Sequence, residues 1–165
     1  MCILLSYAIQ ILYVAKYYSK HDNISYVICD TNCKNVIVGG MVCLGIFMML
    51  YEWERGSPIS MGLIGLVLVG IYGLLLYDMP HPAHIVFAGI TMAGIILFMM
   101  YHAWMLDSPL VYLLVCIQIL LVTEIAIHMD EDIFKVETGF FLNFAGYYVY
   151  LHTLIADIPV GTIDI

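Results

Sequence analysis

Six long apolar segments follow one another along this chain, and they constrain its fold more than any other feature. At a helical rise of about 1.5 Å per residue, segments of this length cross a hydrocarbon core of about 30 Å. We therefore predict an all-α fold, a polytopic transmembrane helical bundle of about six spans. The predicted spans are 2–18, 36–53, 59–77, 83–106, 109–128 and 139–156.

The composition is typical of a membrane protein. Hydrophobic residues make up 64% of the chain and charged residues 11%, whereas soluble domains are about half apolar and about a quarter charged. Six spans with short loops use nearly all of the 165 residues, so we predict a single transmembrane domain over 1–165, multi-pass in a lipid bilayer. The net charge of −8 leaves no basic patch for phosphates, so nucleic acid is not an expected partner.

Proline and glycine positions refine this architecture. Pro58, Pro82 and Pro109 lie at predicted helix starts, where a missing backbone N–H costs nothing. Small residues in the third and fourth spans let helix backbones approach closely in lipid. These residues are Gly62, Gly65, Gly70, Gly73, Gly89 and Ala93.

Two signals disagree about orientation in the membrane. Four lysines flank the first and fifth loops: Lys16, Lys20, Lys34 and Lys135. Arg55 alone lies on the opposite side, so the positive-inside rule places the lysine loops in the cytosol. However, the first loop also carries the glycosylation sequon NIS at 23–25, together with Cys29 and Cys33, which favour an oxidising compartment. Orientation and the pairing of these cysteines are therefore left open.

The sequence MLYEWERGSP at 49–58 places charged residues directly behind an apolar run. Glu52 and Arg55 are three residues apart, so on a helix they share a face and can pair. We favour a pair at the membrane boundary, because the helix ends immediately afterwards and Tyr51 and Trp53 are typical of the interface. The alternative places Glu52 inside the bundle as a proton-binding carboxylate, since an ionisable group within a span is costly and usually functional.

Glu124 and His128 form the second candidate ion- or proton-binding site. They are four residues apart near the end of the fifth span, so they share a helical face, and Glu124 lies roughly one turn inside the apolar run. A carboxylate bonded to a histidine can bind a proton. In the alternative interpretation, which we favour, Glu124 reaches outward to the interface above the acidic loop at 130–132.

The turn at 77–84 offers Asp78, His81 and His84 as candidate metal ligands. Imidazole and carboxylate groups bind zinc, but polar residues in a turn between helices most often face water, and we favour that interpretation. His102 lies about 27 Å from His84 along the fourth span at helical rise, so these two histidines do not share one site.

No pattern typical of an enzyme or a cofactor protein is present. Ser60 and Thr91 lie in apolar segments, where hydroxyl groups mostly bond to helix backbones, and neither has a histidine and an acid at a recognisable spacing. We therefore predict no cofactor and favour a role that is not enzymatic.

The stretch at 24–56 has a pattern of loop residues followed by the residues of one helix. A loop of Ile24, Ser25 and Tyr26 precedes a helix start of Lys34, Asn35, Val36, Val38 and Gly39. The same helix continues and ends with Gly45, Phe47, Tyr51, Arg55 and Gly56. In these residues the chain resembles a widespread group of small six-helix membrane proteins of unknown function, which are similar to the Frag/DRAM-type membrane proteins. The resemblance implies a six-helix topology and no particular chemistry, and Cys29 and Cys33 depart from it.

Because nearly all of the chain lies in predicted spans, its expected partners, apart from lipid, are other membrane proteins that contact its helix faces. We predict a structural or assembly component of a membrane or of a membrane-embedded complex, such as a respiratory-type complex or a virion membrane. The alternative is a proton- or ion-conducting protein that uses Glu124, His128 and Glu52. A third hypothesis is a metal-dependent hydrolase built around Asp78, His81 and His84.

Overall fold

The fold is known from a computed structural model that describes residues 2–16, 23–29, 31–128 and 133–155. Within these ranges the chain forms seven α-helices and no strand, which confirms the all-α prediction. The helices are α1 (Cys2–Lys16), α2 (Ile24–Cys29), α3 (Thr31–Arg55), α4 (Pro58–Leu76), α5 (Pro82–Leu106), α6 (Pro109–Ile127) and α7 (Phe134–Ile155).

Four helices of the described chain are long and apolar enough to cross a membrane, namely α3 from Lys34 onward, α4, α5 and α6. These helices fit a multi-pass membrane protein, but among the described residues they number four and not the predicted six. The 15 described residues of α1 measure only about 22 Å. In α7, Asn143, His152 and three tyrosines lower the mean hydropathy of a helix that is otherwise long enough.

Six of the helices close into a ring in the order α1, α3, α4, α5, α6, α7 and back to α1. The short helix α2 packs against α1, α3, α4 and α7. The prediction from the sequence treats this stretch as the first loop, so α2 is found only in the structure. Phe98, Met99 and Tyr147 are almost completely buried at the centre of the bundle, and the Tyr147 hydroxyl donates to the Met99 carbonyl oxygen over 2.8 Å.

The sequon in the first loop has a structural role. The Asn23 side chain is 9% exposed, and its Oδ1 atom accepts the backbone N–H of Tyr26 over 2.9 Å at the start of α2. A glycan would be attached to Nδ2 and would leave this acceptor in place, but the low exposure of Asn23 leaves little room for it, so the sequon is weak support for a lumenal loop. The side chains of Cys29 and Cys33 lie outside the described part of the structure.

The predicted helix starts are confirmed at α4, α5 and α6, each of which begins with a proline. Ser57 caps α4 by accepting the backbone N–H of Ser60 over 3.3 Å. Asp107 ends α5 in the left-handed backbone region, with a φ of 45°, and α6 follows after a single residue. These short turns bring the end of each helix next to the start of the following one.

Glycines set the close packing of α4 against α5. A Cβ atom at Gly70 would lie 2.7 Å from the Thr91 backbone nitrogen, and one at Gly94 would lie 2.9 Å from Cγ2 of Val67. Gly73 faces the ring of Phe87 in the same way. The prediction that glycines permit close backbone approach is therefore confirmed at Gly70, whereas the space beside Gly73 is filled by the Phe87 side chain.

Other predicted packing residues face outward instead. Cβ atoms built at Gly62, Gly65 and Gly89 would meet no other group within 4 Å. Large apolar side chains surround them on the outer faces of the spans, including Val69, which is 56% exposed, and Val86, which is 60% exposed. Such a surface suits contact with lipid or with the helices of another protein.

We predict that Gly70→Val lowers the free energy of unfolding by about 1–3 kcal/mol, because the added side chain pushes the backbone of α5 away. Gly62→Val, on the open face of the same helix, should change it by less than about 0.5 kcal/mol. Thermal unfolding in detergent micelles measures both variants. Equal losses in the two would show that the close contact does not hold α4 against α5.

Candidate functional site

Polar side chains gather at the end of the bundle where α3, α5 and α7 finish and α4 starts. Each helix delivers its residues within about two turns of its terminus, so the short turns bring them together. We call this group the Glu52 cluster; its members are Glu52, Arg55, Ser60, His102, Tyr148 and His152.

Glu52 lies at the centre of the cluster with its side chain fully buried. Its Oε1 atom accepts the Tyr148 hydroxyl over 2.9 Å, and its Oε2 atom accepts the Ser60 hydroxyl. Nη1 of Arg55 lies 3.5 Å from Oε2. A buried carboxylate is costly unless donors and a countercharge surround it, and all of these are present here.

Both sequence-based interpretations of Glu52 describe part of this geometry. The pairing with Arg55 is present near the helix end, as the boundary interpretation required. The side chain itself lies inside the bundle, as the alternative required. Trp53 and Trp104 are each 70% exposed beside the cluster, where an indole ring is favoured at a membrane interface.

His102 presents an acceptor nitrogen to the same serine. Its Nδ1 atom lies 2.9 Å from the Phe98 carbonyl oxygen, and because a carbonyl only accepts, Nδ1 carries the proton. In the neutral ring Nε2 is then an acceptor, and it lies 3.4 Å from Oγ of Ser60. The Ser60 hydroxyl therefore lies between a carboxylate and a basic nitrogen.

These contacts are arranged differently from those around the nucleophilic serine of a catalytic triad. In a catalytic triad the acid holds Nδ1 of the histidine, whereas here Glu52 binds Ser60 and a backbone carbonyl holds His102. Ser60 is also completely buried, so a substrate has no access to its oxygen. The arrangement suits the sharing of a proton rather than attack on a substrate.

His152 completes the cluster without a hydrogen bond of its own. Its ring packs edge-on against Tyr51 and Tyr148, with centroids 3.9 and 4.1 Å away. Both ring nitrogens are buried, and neither has a partner within the described ranges. Buried polar atoms of this kind usually bind water or another polar group, so the cluster has unused hydrogen-bonding capacity.

Glu124 and His128 form the expected pair on the outside of the bundle, where the favoured interpretation of the sequence placed Glu124. Nε2 of His128 lies 3.6 Å from Oε1 of Glu124, and the side chains are 39% and 54% exposed. The pair is far from the Glu52 cluster, at the opposite end of α6 from the turn beside His102. Its role in binding ions stays a prediction.

The three candidate metal ligands have separate roles. Asp78 pairs with Lys34 over 2.7 Å, and His81 caps the start of α5 with its Nδ1 atom. His84 is buried, with Nδ1 at a backbone carbonyl and Nε2 2.9 Å from Oγ of Ser25. Among the described residues, no three His, Cys, Asp or Glu side chains are placed to hold a metal ion, so the structure does not bring this set together.

Among the cavities of the described structure, two share Tyr7 in their linings. The larger has a volume of about 110 Å³ and extends towards Ser25, His84 and Glu137, at the end opposite the Glu52 cluster. The smaller has a volume of about 10 Å³. Tyr7 lines both cavities, and Tyr148 lines the smaller one. Tyr7 therefore separates the larger cavity from the Glu52 cluster.

Glu137 joins two helices at the opposite end of the bundle. Its Oε2 atom accepts the backbone N–H of Ile24 over 2.7 Å, which joins α7 to α2. Burial raises the pKa of Glu137 from its ordinary value of 4.5 to about 7, although the bond from Ile24 opposes the shift. The carboxyl group is therefore half protonated near neutral pH.

Sequence reasoning did not identify Ser60, His102, Tyr148 and His152 as one site. One signal was available: in an antiparallel bundle the end of one span and the start of the next share a membrane face. That rule places Glu52 and Ser60, on either side of one turn, near His102, which precedes the next turn at the same face. It does not show which side chains point inward.

No protein family, curated protein or solved structure matches the chain. The resemblance at 24–56 therefore stays a prediction, and the geometry of the site carries the functional argument.

We predict that the stability of the protein falls as the pH rises from 4.5 to about 7. The folded state holds a proton on Glu137 in this interval, whereas the unfolded chain has released it. Thermal unfolding in detergent across this range measures the effect. Glu137→Gln keeps an acceptor for Ile24 and should flatten the profile, whereas Glu54→Gln, at an exposed position, should leave it unchanged. A Glu137→Gln profile as steep as that of the wild type would contradict the assignment.

Proposed function

We propose that this multi-pass membrane protein takes up and passes protons through the Glu52 cluster. One observation carries the proposal: the buried Ser60 hydroxyl lies between the Glu52 carboxylate and the acceptor nitrogen of His102. Ionisable groups inside a membrane bundle are rare and commonly mark proton or ion pathways. The proposal develops the conducting alternative from the sequence, with Glu52 as its principal residue.

The geometry supports a balanced proton transfer. When Glu52 is protonated, its proton passes to Oγ of Ser60 while the serine passes its own proton to Nε2 of His102. The products are a carboxylate and an imidazolium ion, and the serine hydroxyl now points at Glu52. Tyr148 and Arg55 stabilise the carboxylate that forms. The relay is reset when His102 releases its proton, the Ser60 hydroxyl rotates back and Glu52 takes up another proton.

The cavities offer a route towards the other end of the bundle. The smaller cavity, between Tyr7 and Tyr148, is close to the size that one water molecule needs, about 10–15 Å³. Beyond Tyr7 the larger cavity is lined by Thr91, Glu137 and His84, which carry groups able to exchange or bond protons. Because most of the lining of both cavities is apolar, water would enter only transiently, and such water would connect the cluster to the end where α2 lies.

We predict that Glu52→Gln abolishes proton flux in liposomes, because an amide cannot release a proton to Ser60. Flux is measured with a pH-sensitive dye trapped inside the vesicles under an imposed potential. Ser60→Ala should also reduce the flux, since it removes the hydroxyl between Glu52 and His102.

The matched control is Glu54→Gln, which removes a carboxylate at an exposed position two residues away and should conduct like the wild type. Helical content and elution from a sizing column verify that each variant is folded. A proton flux at the wild-type rate in folded Glu52→Gln protein would rule out the relay.

A second candidate function, the structural or assembly role predicted from the sequence, is supported by the outer surface. Gly62 and Gly65 on α4 and Gly89 on α5 have open space in front of them, and the exposed side chains around them are apolar. Small residues on outer faces allow helices of a partner to approach closely. This surface suits a subunit of a larger membrane assembly.

We predict for this role that gentle detergent extraction yields a discrete complex larger than the monomer. Gly65→Leu should reduce that complex to the monomer without loss of folding, because the added side chain occupies the space at the contact. Native mass measurement detects the change. Ala126→Leu, at an exposed position on α6, is the control and should leave the complex intact; a monomeric wild-type protein would argue against assembly.

A further inference from the structure

The larger cavity has an apolar lining that includes side chains from most of the ring. Representative members are Ile11, Val14, Met41, Leu44, Ile71 and Phe140. Its volume of about 110 Å³ is comparable with that of an engineered apolar cavity of ~150 Å³ that binds benzene. The space therefore suits a molecule about the size of one ring.

Gln10 gives this apolar space a specific polar feature. The side chain is only 7% exposed, and it lines the cavity. In the part of the chain that the structure describes, neither Nε2 nor Oε1 has a hydrogen-bond partner. Oγ1 of Thr138, on the same cavity, is also buried without a partner. An unpaired buried polar group lowers the stability of the fold, so we expect these groups to hydrogen-bond to a bound molecule.

The position of the Gln10 amide depends on a glycine in the neighbouring helix. A Cβ atom at Gly40 of α3 would lie 2.8 Å from Cδ and 3.1 Å from Nε2 of Gln10. Any larger residue at this position would displace the amide. The packing of α1 on α3 thus leaves room for the Gln10 amide, which has no hydrogen-bond partner among the described residues.

We propose that this cavity binds an uncharged, ring-sized apolar molecule that presents a hydrogen-bond acceptor beside a donor to Gln10. A carboxamide has this edge, and so does a protonated carboxyl group. Nε2 of Gln10 donates to the carbonyl oxygen of the ligand, and Oε1 accepts its N–H or O–H. The Thr138 hydroxyl offers one more hydrogen bond. An ionised carboxylate lacks the donor, and the burial of its charge costs free energy.

The inference is independent of the proton relay, because it rests on Gln10, Gly40 and Thr138 rather than on the Glu52 cluster. Binding is measured on the full chain in detergent micelles, by fluorine NMR of fluorinated benzamide, benzoic acid and toluene. Saturable binding of the benzamide is expected. Glu137 lines the same cavity and titrates near pH 7, so the pH series is measured on Glu137→Gln protein, in which the benzamide affinity should not depend on pH. Benzoic acid should bind only as the pH falls and the acid becomes protonated. Toluene should bind more weakly than the benzamide.

Variants separate recognition by Gln10 from partitioning into the micelle. Gln10→Leu should weaken benzamide binding about tenfold, since it removes the paired hydrogen bonds, and should leave toluene binding unchanged. Gly40→Ala should weaken it too, by moving the amide. Gly39→Ala, one residue earlier, meets no neighbouring atom within 4 Å and should retain the wild-type affinity.

Three results would overturn the proposal. The first is the absence of saturable benzamide binding to the folded wild-type protein, and the second is binding to Gln10→Leu as tight as to the wild type. Equal losses in Gly39→Ala and Gly40→Ala would also count against it, because only the second residue contacts the amide. These two alanine variants keep the test valid if Gln10→Leu does not fold.

Discussion

The buried carboxylate of Glu52 organises the structure, because its contacts join helices that lipid alone does not hold together. Through Ser60 and Tyr148 it connects the end of α3 to the start of α4 and the end of α7, and Ser60 extends the connection to His102 on α5. In a membrane the hydrophobic effect does not drive helices against each other, so polar contacts and close packing must do so. The contacts of Glu52 with Ser60 and Tyr148, and of Ser60 with His102, join four helices at this end of the bundle.

The polar character of α7 has the same explanation. Asn143 donates to the side chain of Gln118 over 2.5 Å and to the Leu114 carbonyl over 2.9 Å, which attaches α7 to α6. Tyr147 attaches it to α5 through the Met99 carbonyl. Several of the residues that make α7 less apolar than the four candidate spans, namely Asn143, Tyr147 and Tyr148, are therefore the ones that bind it to neighbouring helices.

The two ends of the bundle differ chemically. At one end, Glu52 lies inside the protein near the level of the exposed Trp53 and Trp104 side chains, which suits exchange of protons with an interface. At the other end, Glu137 and His84 bond to the region of α2. The cavity that holds Gln10 lies between these regions, and Tyr7 separates it from the Glu52 cluster. A ligand in that cavity would occupy part of the route that the proposed relay needs, so ligand binding and proton passage are expected to compete.

The sequence by itself determined the all-α class, the membrane setting, the proline-marked helix starts and the pairing of Glu52 with Arg55, because composition, apolar length and helical spacing are local properties. It overestimated the number of spans, since apolar length does not show that α1 is short or that the polar residues of α7 face other helices. Only the tertiary structure decided that Glu52 is buried while Glu124 is exposed, although both lie near the ends of apolar runs. Burial depends on the rotation of each helix about its axis, and contacts between residues distant in sequence set that rotation. For the same reason the unpaired amide of Gln10 and the space beside Gly40 appear only in the assembled bundle.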